Sequence, residues 1–195
     1  TKNTSSGDQA LYSNTTGTNN TASGSQALYS NITGNNNTSS GYQALYSNTT
    51  GNQNTASGYE ALRQNTTGNN NTASGSQALR QNTTGSYNTA SGQWALRNNT
   101  TGTNNTASGY QAGDTITTGS SNTIIGFSAD VTSTAAGNRI VIGNGASGTA
   151  DDTAVIGNSS VYQVKTGGTD NNGPHNLASI ITGSGSPSSS ITPKF

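Results

Sequence analysis

Apolar side chains are sparse along this chain, and they recur on a fixed long period. Single leucines stand at Leu11, Leu28, Leu45, Leu62, Leu79 and Leu96, each preceded by Ala and each 17 residues from the next. An amphipathic helix would need apolar residues at i, i+3, i+4 and i+7 over ten or more residues, and no such stripe lies between these positions. Short pieces rich in Thr, Val or Ile, such as Thr123–Ile125, Ile140–Ile142 and Ala154–Ile156, predict strands of about three to five residues. One repeat is thus too short for a domain and predicts one turn of a stacked structure.

Two glycine columns share the period. The first runs Gly7, Gly24, Gly41, Gly58, Gly75, Gly92, Gly109, Gly126 and Gly143 in steps of 17, followed by Gly157 after a step of 14. The second runs Gly17, Gly34, Gly51, Gly68, Gly85, Gly102 and Gly119, each preceded by a Thr-rich triplet in most repeats. Two glycines per repeat predict two tight corners, where a positive φ or a close backbone approach is required. The expected fold is all-β: a parallel β-solenoid of about ten coils.

Stacking would set equivalent residues ~4.8 Å apart. Asn20, Asn37, Asn54, Asn71, Asn88 and Asn105 then form one ladder, and Thr21, Thr38, Thr55, Thr72, Thr89 and Thr106 another, their polar groups satisfying one another down the stack so that a narrow polar interior is tolerable. Strand alternation puts Ala10 and Leu11 on opposite faces unless a bend intervenes. Two readings follow: the Leu column is core, or the Ala column fills the interior and Leu forms an outer apolar stripe at a subunit interface. One buried Leu per coil contributes about 1.5–3 kcal/mol, whereas ordering each backbone residue costs about 1–2 kcal/mol. Association of several chains is therefore expected to add stability.

The pattern divides the chain into three parts: residues 1–121 as polar 17-residue repeats, 122–164 as apolar-cored coils of the same solenoid, and 165–195 as a tail or tip rich in Gly, Ser and Pro. In the second part Ala-Ser before the glycine becomes Ile124-Ile125, Val141-Ile142 and Val155-Ile156, while Gly113 and Asp130 replace Leu.

Composition narrows the function classes. Hydrophobic residues make up 27% and charged residues 7%, with seven basic and seven acidic side chains. That balance gives no electrostatic case for nucleic acid or for a membrane surface as partner, and no apolar run is long enough to insert in a bilayer. With no Cys there is no disulfide framework, thiolate metal site or Cys nucleophile. His175, the one histidine, lies in Asn-Gly-Pro-His-Asn and reads as a turn residue, and the pair Asp151-Asp152 reads as solvated turn carboxylates rather than a cation site. No phosphate loop and no Ser-His-Asp set can be assembled. The expectation is a non-enzymatic protein with no cofactor.

Three sets of side chains suggest surface functions. Tyr42, Tyr59, Tyr110 and Phe127 follow the first glycine, with Trp94 on an equivalent coil, while Tyr12, Tyr29 and Tyr46 give way to Arg63, Arg80 and Arg97 five residues after it. Aromatics beside Asn and Gln suit sugar stacking and hydrogen bonding, and equally suit coil-to-coil stacking or a subunit seam. Asn-x-Thr sequons recur at Asn14, Asn31, Asn48, Asn65 and Asn82, either as glycosylation sites or as corner chemistry.

The unit N-T-A-S-G-Y-Q-A-L-Y-S-N-T-T-G-N-N and the ending N-R-I-V-I-G-N-G-A-S-G-T-A-D-D-T-A-V-I-G-N-S-S-V resemble the left-handed β-roll head repeats of trimeric autotransporter adhesins. They resemble still more the related repeats of phage tail-fibre and bacterial surface proteins that often precede an intramolecular chaperone domain. The resemblance covers about residues 3–164. It implies a parallel homotrimer displayed outside the cell or on a virion, attached to a host, matrix or surface glycan. Where that family has Ile before the glycine, this chain carries Ser6, Ser23, Ser40, Ser57, Ser74, Ser91 and Ser108.

Three functions are expected on these grounds. The first is an extracellular fibrous adhesive segment whose partners are its own copies and surface glycans or a host receptor. The second is a self-assembling extracellular filament, since the repeat is in register from Asn3 with no polar cap. The third is an ice-binding solenoid, for which the adjacent Thr15 and Thr16 would point to opposite faces and leave no paired Thr-x-Thr array.

Overall fold

A computed structural model describes residues 2–160 of the chain. It is an all-β solenoid with no helix among those residues. Seven strands fall in identical places in successive repeats: β1 (Thr4–Ser6), β2 (Thr21–Ser23), β3 (Thr38–Ser40), β4 (Thr55–Ser57), β5 (Thr72–Ser74), β6 (Thr89–Ser91) and β7 (Thr106–Ser108). They are followed by β8 (Thr123–Ile125), β9 (Asp130–Val131), β10 (Ile140–Ile142), β11 (Ser147–Gly148) and β12 (Ala154–Ile156). Ten of these build one parallel sheet in the order β1-β2-β3-β4-β5-β6-β7-β8-β10-β12, and β9 pairs with β11 on its own.

Register follows the repeat. Thr55 lies against Thr72, Ala56 against Ala73 and Ser57 against Ser74, and β10 and β12 pair in the same way across the shortened coil, with Ile140 against Ala154. Backbone bonds between coils continue round the corners, as from Leu28 N to Ala44 O at 3.0 Å and from Gln26 N to Asp8 O at 2.8 Å. Each coil therefore supplies backbone partners that a single three-residue strand lacks.

The corner after the first glycine decides how the core is filled. Gln26 (φ 58) and Leu28 (φ 51) both adopt the left-handed conformation on either side of Ala27, and the pattern repeats at Gln43 and Leu45 and again at Gln77 and Leu79. The chain bends at each of these residues, so Ala27 and Leu28 are both fully buried, as are their equivalents up to Ala95 and Leu96. The required bend is present, and Leu is core. The reading of Leu as an outer subunit stripe is thereby overturned. Left-handed Leu costs about 1–2 kcal/mol, which burial of its side chain at about 1.5–3 kcal/mol offsets.

The third side of the core is the centre of each strand. Ala22, Ala56, Ala73, Ala90 and Ala107 are buried there, and so is Ser39, whose hydroxyl donates to Ala44 O at 2.7 Å. Towards the C-terminal coils this position enlarges to Ile124 and Val141, both fully buried. Volume is balanced by the change from Leu to Gly113: a methyl at Gly113 would stand 3.1 Å from Leu96 Cδ2 and 3.2 Å from Ile124 Cδ1. Ile125 and Ile156 are exposed, so only the first residue of the Ile124-Ile125 pair, not the pair, makes the apolar core expected for residues 122–164. The Ser column before the glycine is exposed for the same reason of alternation, so its hydroxyls stay out of the Ala and Leu core. The tail assigned to residues 165–195, with His175, lies outside the described residues.

Candidate functional site

Asparagine occupies the interior where backbone carbonyls need donors. Asn20, Asn37, Asn54, Asn71, Asn88 and Asn105 are all fully buried. Each repeats two contacts: Asn37 Nδ2 donates to Gly51 O at 2.8 Å, while Asn37 Oδ1 accepts from Asn54 N at 2.9 Å. A second ladder runs amide to amide, with Asn65 Nδ2 donating to Asn48 Oδ1 at 2.7 Å and to Gly68 O at 3.0 Å. It ends where Ile116 takes the next place, and Asn99 Oδ1 is left without a donor.

These contacts overturn the glycosylation reading. Asn31, Asn48, Asn65 and Asn82 are fully buried, and Asn14 accepts from Asn31 at 2.7 Å through Oδ1 while its Nδ2 donates to Gly17 O. From Asn31 onward Nδ2 faces the preceding coil, which a sugar there would displace. The sequons are corner chemistry.

The corner glycines serve close approach as well as conformation. Gly7, Gly24, Gly41, Gly58, Gly75, Gly92, Gly109, Gly126 and Gly143 have φ between 129 and 139°, and Gly157 has φ 88. A Cβ on Gly58 would lie 2.6 Å from Gly75 O, inside any van der Waals contact.

The side chains open to contact lie on outward rows, of which the corner row is the richest. Tyr12, Tyr29 and Tyr46 stack face to face with ring centroids 5.2 and 5.1 Å apart, and Tyr42 stacks on Tyr59 at 5.5 Å. Tyr110 stacks on Phe127 at 5.1 Å and meets Trp94 at 5.4 Å, tilted by 44°. Arg63 continues the Tyr row, its guanidinium 5.4 Å from the Tyr46 ring centre. Sequence placed Trp94 only on an equivalent coil; in the structure it occupies the adjoining Gln column, where its indole N–H donates to Gln77 Oε1 at 2.8 Å. Glu60 stands in that column too. Burial works against its ionisation, but hydrogen bonds from Arg80 and Gln77 and the charges of Arg80 and Arg63 hold its carboxyl below the usual value.

A second outward surface is the outer face of the long sheet, which carries the Thr ladder expected to line a polar interior; strand alternation turns it outward, and only the Asn ladder is inside. Its strands expose residues one and three: Thr21 and Ser23, Thr38 and Ser40, Thr55 and Ser57, Thr72 and Ser74, Thr89 and Ser91, Thr106 and Ser108. The face is a Thr-x-Ser array; none of these strands carries Thr at both outward positions. The signal lay in T-A-S before each glycine, read with strand alternation. On the last three strands of this sheet the face turns apolar, with Ile125 at 41%, Ile140 at 44% and Ile156 at 55% exposure.

The C-terminal coils hold a separate polar group. Asp130 replaces the core Leu and accepts from Thr115 Oγ1 at 2.7 Å and Val131 N at 2.8 Å. Burial pushes its carboxyl up despite these bonds, and burial does the same to Asp114, with Arg97 opposing. Arg139 is buried in the Asn column, bonding Gly148 O at 2.8 Å and pairing with Asp151 at 2.7 Å. Asp151 also accepts from Gly137 N at 3.0 Å, and Asp152 from Asn138 Nδ2 at 2.8 Å, so the acidic pair braces the shortened coil. Among the described residues no group of His, Cys, Asp or Glu could hold a metal ion, and no cavity opens. Compared with known protein families, curated proteins and solved structures, the chain matches none.

Proposed function

We propose that the chain is a non-enzymatic segment of an extracellular fibre that attaches to glycans or to a host surface and associates with its own copies. The observation that carries this reading is repetition on the outside of the stack: stacked aromatic rings, Gln amides and guanidinium groups recur coil by coil. Such rows suit a ligand that is itself repetitive, because weak contacts made in series gain effective concentration. Stacking also holds the rings in place before binding, which lowers the entropy lost on contact.

Self-association is supported by the end of the sheet face. Ile125, Ile140 and Ile156 project outward together, and a second and third copy of the chain would cover them. The test is twofold. The full chain should sediment as a trimer, and Ile125→Ser/Ile140→Ser/Ile156→Ser should sediment as a monomer with its β circular dichroism retained. On immobilised glycans or cell-surface extracts, Tyr42→Ala/Tyr59→Ala should bind at least about tenfold more weakly than the parent. A parent chain that stays monomeric at high concentration and adheres to nothing would remove the reading.

The Thr-x-Ser array favours a second reading, an ice-binding face, since it is uncharged and repeats at the strand spacing of ~4.8 Å. Thermal hysteresis that disappears on Thr55→Lys/Thr72→Lys would support it over adhesion.

A further inference from the structure

Arg63, Arg80 and Arg97 occupy one column on three successive coils, an arrangement in which like charges repel. The coils neutralise them unequally. Arg63 Nε donates to Gln43 Oε1 at 2.9 Å, twenty residues back, and Arg80 Nε donates to Glu60 Oε2 at 2.7 Å by the same step. The third acceptor in that series is Gln77, but the Trp94 indole has taken its Oε1. Arg97 Nε is consequently buried with no partner, and the guanidinium rests 5.6 Å from the Trp94 ring centre. Glu60 serves both Arg63, at 3.5 Å, and Arg80, and Asp114 follows Arg97 on the next coil. The Nη groups of all three arginines donate to no described residue, and Arg63 and Arg80 keep 27% and 23% of their side chains exposed.

We propose that this arginine column, flanked by Tyr46 and Trp94, is a binding site for an acidic polysaccharide, one anionic sugar per coil. The proposal rests on the adhesive reading above and names its ligand class. Arginine Nη pairs are shaped for carboxylate or sulfate oxygens. A polysaccharide with one acid group per ring repeats its charge at a length comparable with one coil, so consecutive acid groups meet consecutive guanidinium groups. The rings of Tyr46 and Trp94 hold the guanidinium planes in place, and an anion relieves the repulsion along the column.

The test uses the full chain and three surfaces: polygalacturonate, dextran sulfate and unmodified dextran. Binding to at least one of the acidic polymers is expected, and which one identifies carboxylate or sulfate as the acid group. It should weaken as salt is raised, because the screening length falls from about 10 Å at 0.1 M to about 3 Å at 1 M. Arg80→Gln/Arg97→Gln should reduce it at least about tenfold, Arg80→Lys/Arg97→Lys should lose less, and Gln77→Glu, which offers Arg97 a carboxylate, should also weaken it. Unaltered circular dichroism and melting confirm that each variant is folded. If dextran is held as well as the acidic polymers by parent and double Gln variant alike, this inference fails while adhesion stands. If no polysaccharide and no cell surface is bound, both fail. A single-stranded polynucleotide held as tightly as the acidic polysaccharides would also overturn the inference, since the column would then read charge alone.

Discussion

Replacing Gly75 by Ala would set a methyl 2.5 Å from Gly92 O on a residue whose φ is 138°, a conformation closed to side chains. Clash and strain act together, so Gly75→Ala should cost at least about 3 kcal/mol in denaturant unfolding. The buried amides are equally exacting for a different reason. Asn65→Ala leaves Asn48 Oδ1 without its donor and takes one of two partners from Asn82 Nδ2 and from Gly68 O, which keep Gly85 O and Asn54 Nδ2. Each orphaned buried group costs about 1–3 kcal/mol, so this exchange should lower stability more than Thr55→Ala on the exposed face, as compared by thermal melting. The Asn99 carbonyl already bears such a loss beside Ile116, and the ladder tolerates it at one rung only because the apolar coils begin there.

The last coils form an element whose stability depends on pH in a direction opposite to the usual acidic protein. Burial holds the Asp130 and Asp114 carboxyls above their ordinary value of 3.8. The folded form thus prefers them protonated; their favourable contribution is complete below 3.8 and is lost as pH rises through the raised folded value. Glu60 and Asp151 are shifted down, Asp151 through its bonds to Gly137 N and Arg139, so their contribution is present above the ordinary value and lost in acid. Hydrogen exchange of Thr123–Ile125 and Ile140–Ile142 should slow as pH is lowered from neutrality towards the ordinary carboxylate value of 3.8, after correction for intrinsic exchange, and Asp130→Asn should flatten that change. Exchange at Thr55–Ser57, beside Glu60, should not share it.

As a whole, the described residues behave as a one-dimensional stack in which each coil contacts its neighbours, and stability is close to a sum of coil and interface terms. Removing residues 58–74 joins Ser57 to Gly75 and keeps every column in register, since the step is 17. The product should fold with unchanged circular dichroism per residue and a modestly lower melting point. Removing 58–73 instead leaves one residue too many in the coil at the cut and puts that one interface out of register, while the coils on either side stay aligned among themselves. That variant should melt at a lower temperature than the 17-residue deletion, with the stack divided at the cut into two less cooperative units.

The repeat, three of the last strands (Thr123–Ile125, Ile140–Ile142 and Ala154–Ile156), the coil-on-coil register and the two glycine columns were legible in the amino-acid order, because a parallel stack makes residues 17 apart neighbours and so writes its geometry into periodicity. Periodicity says which residues share a column but not where the column points. The left-handed backbone at Gln26 and Leu28 turned both Ala and Leu inward, the amide ladders carried the sequon asparagines into the interior, and strand alternation put Thr and Ser outside. The Trp94 capture of Gln77, which strands Arg97, arises from side-chain reach between coils. Direction and reach belong to backbone dihedrals and three-dimensional packing, and those only the folded chain decided.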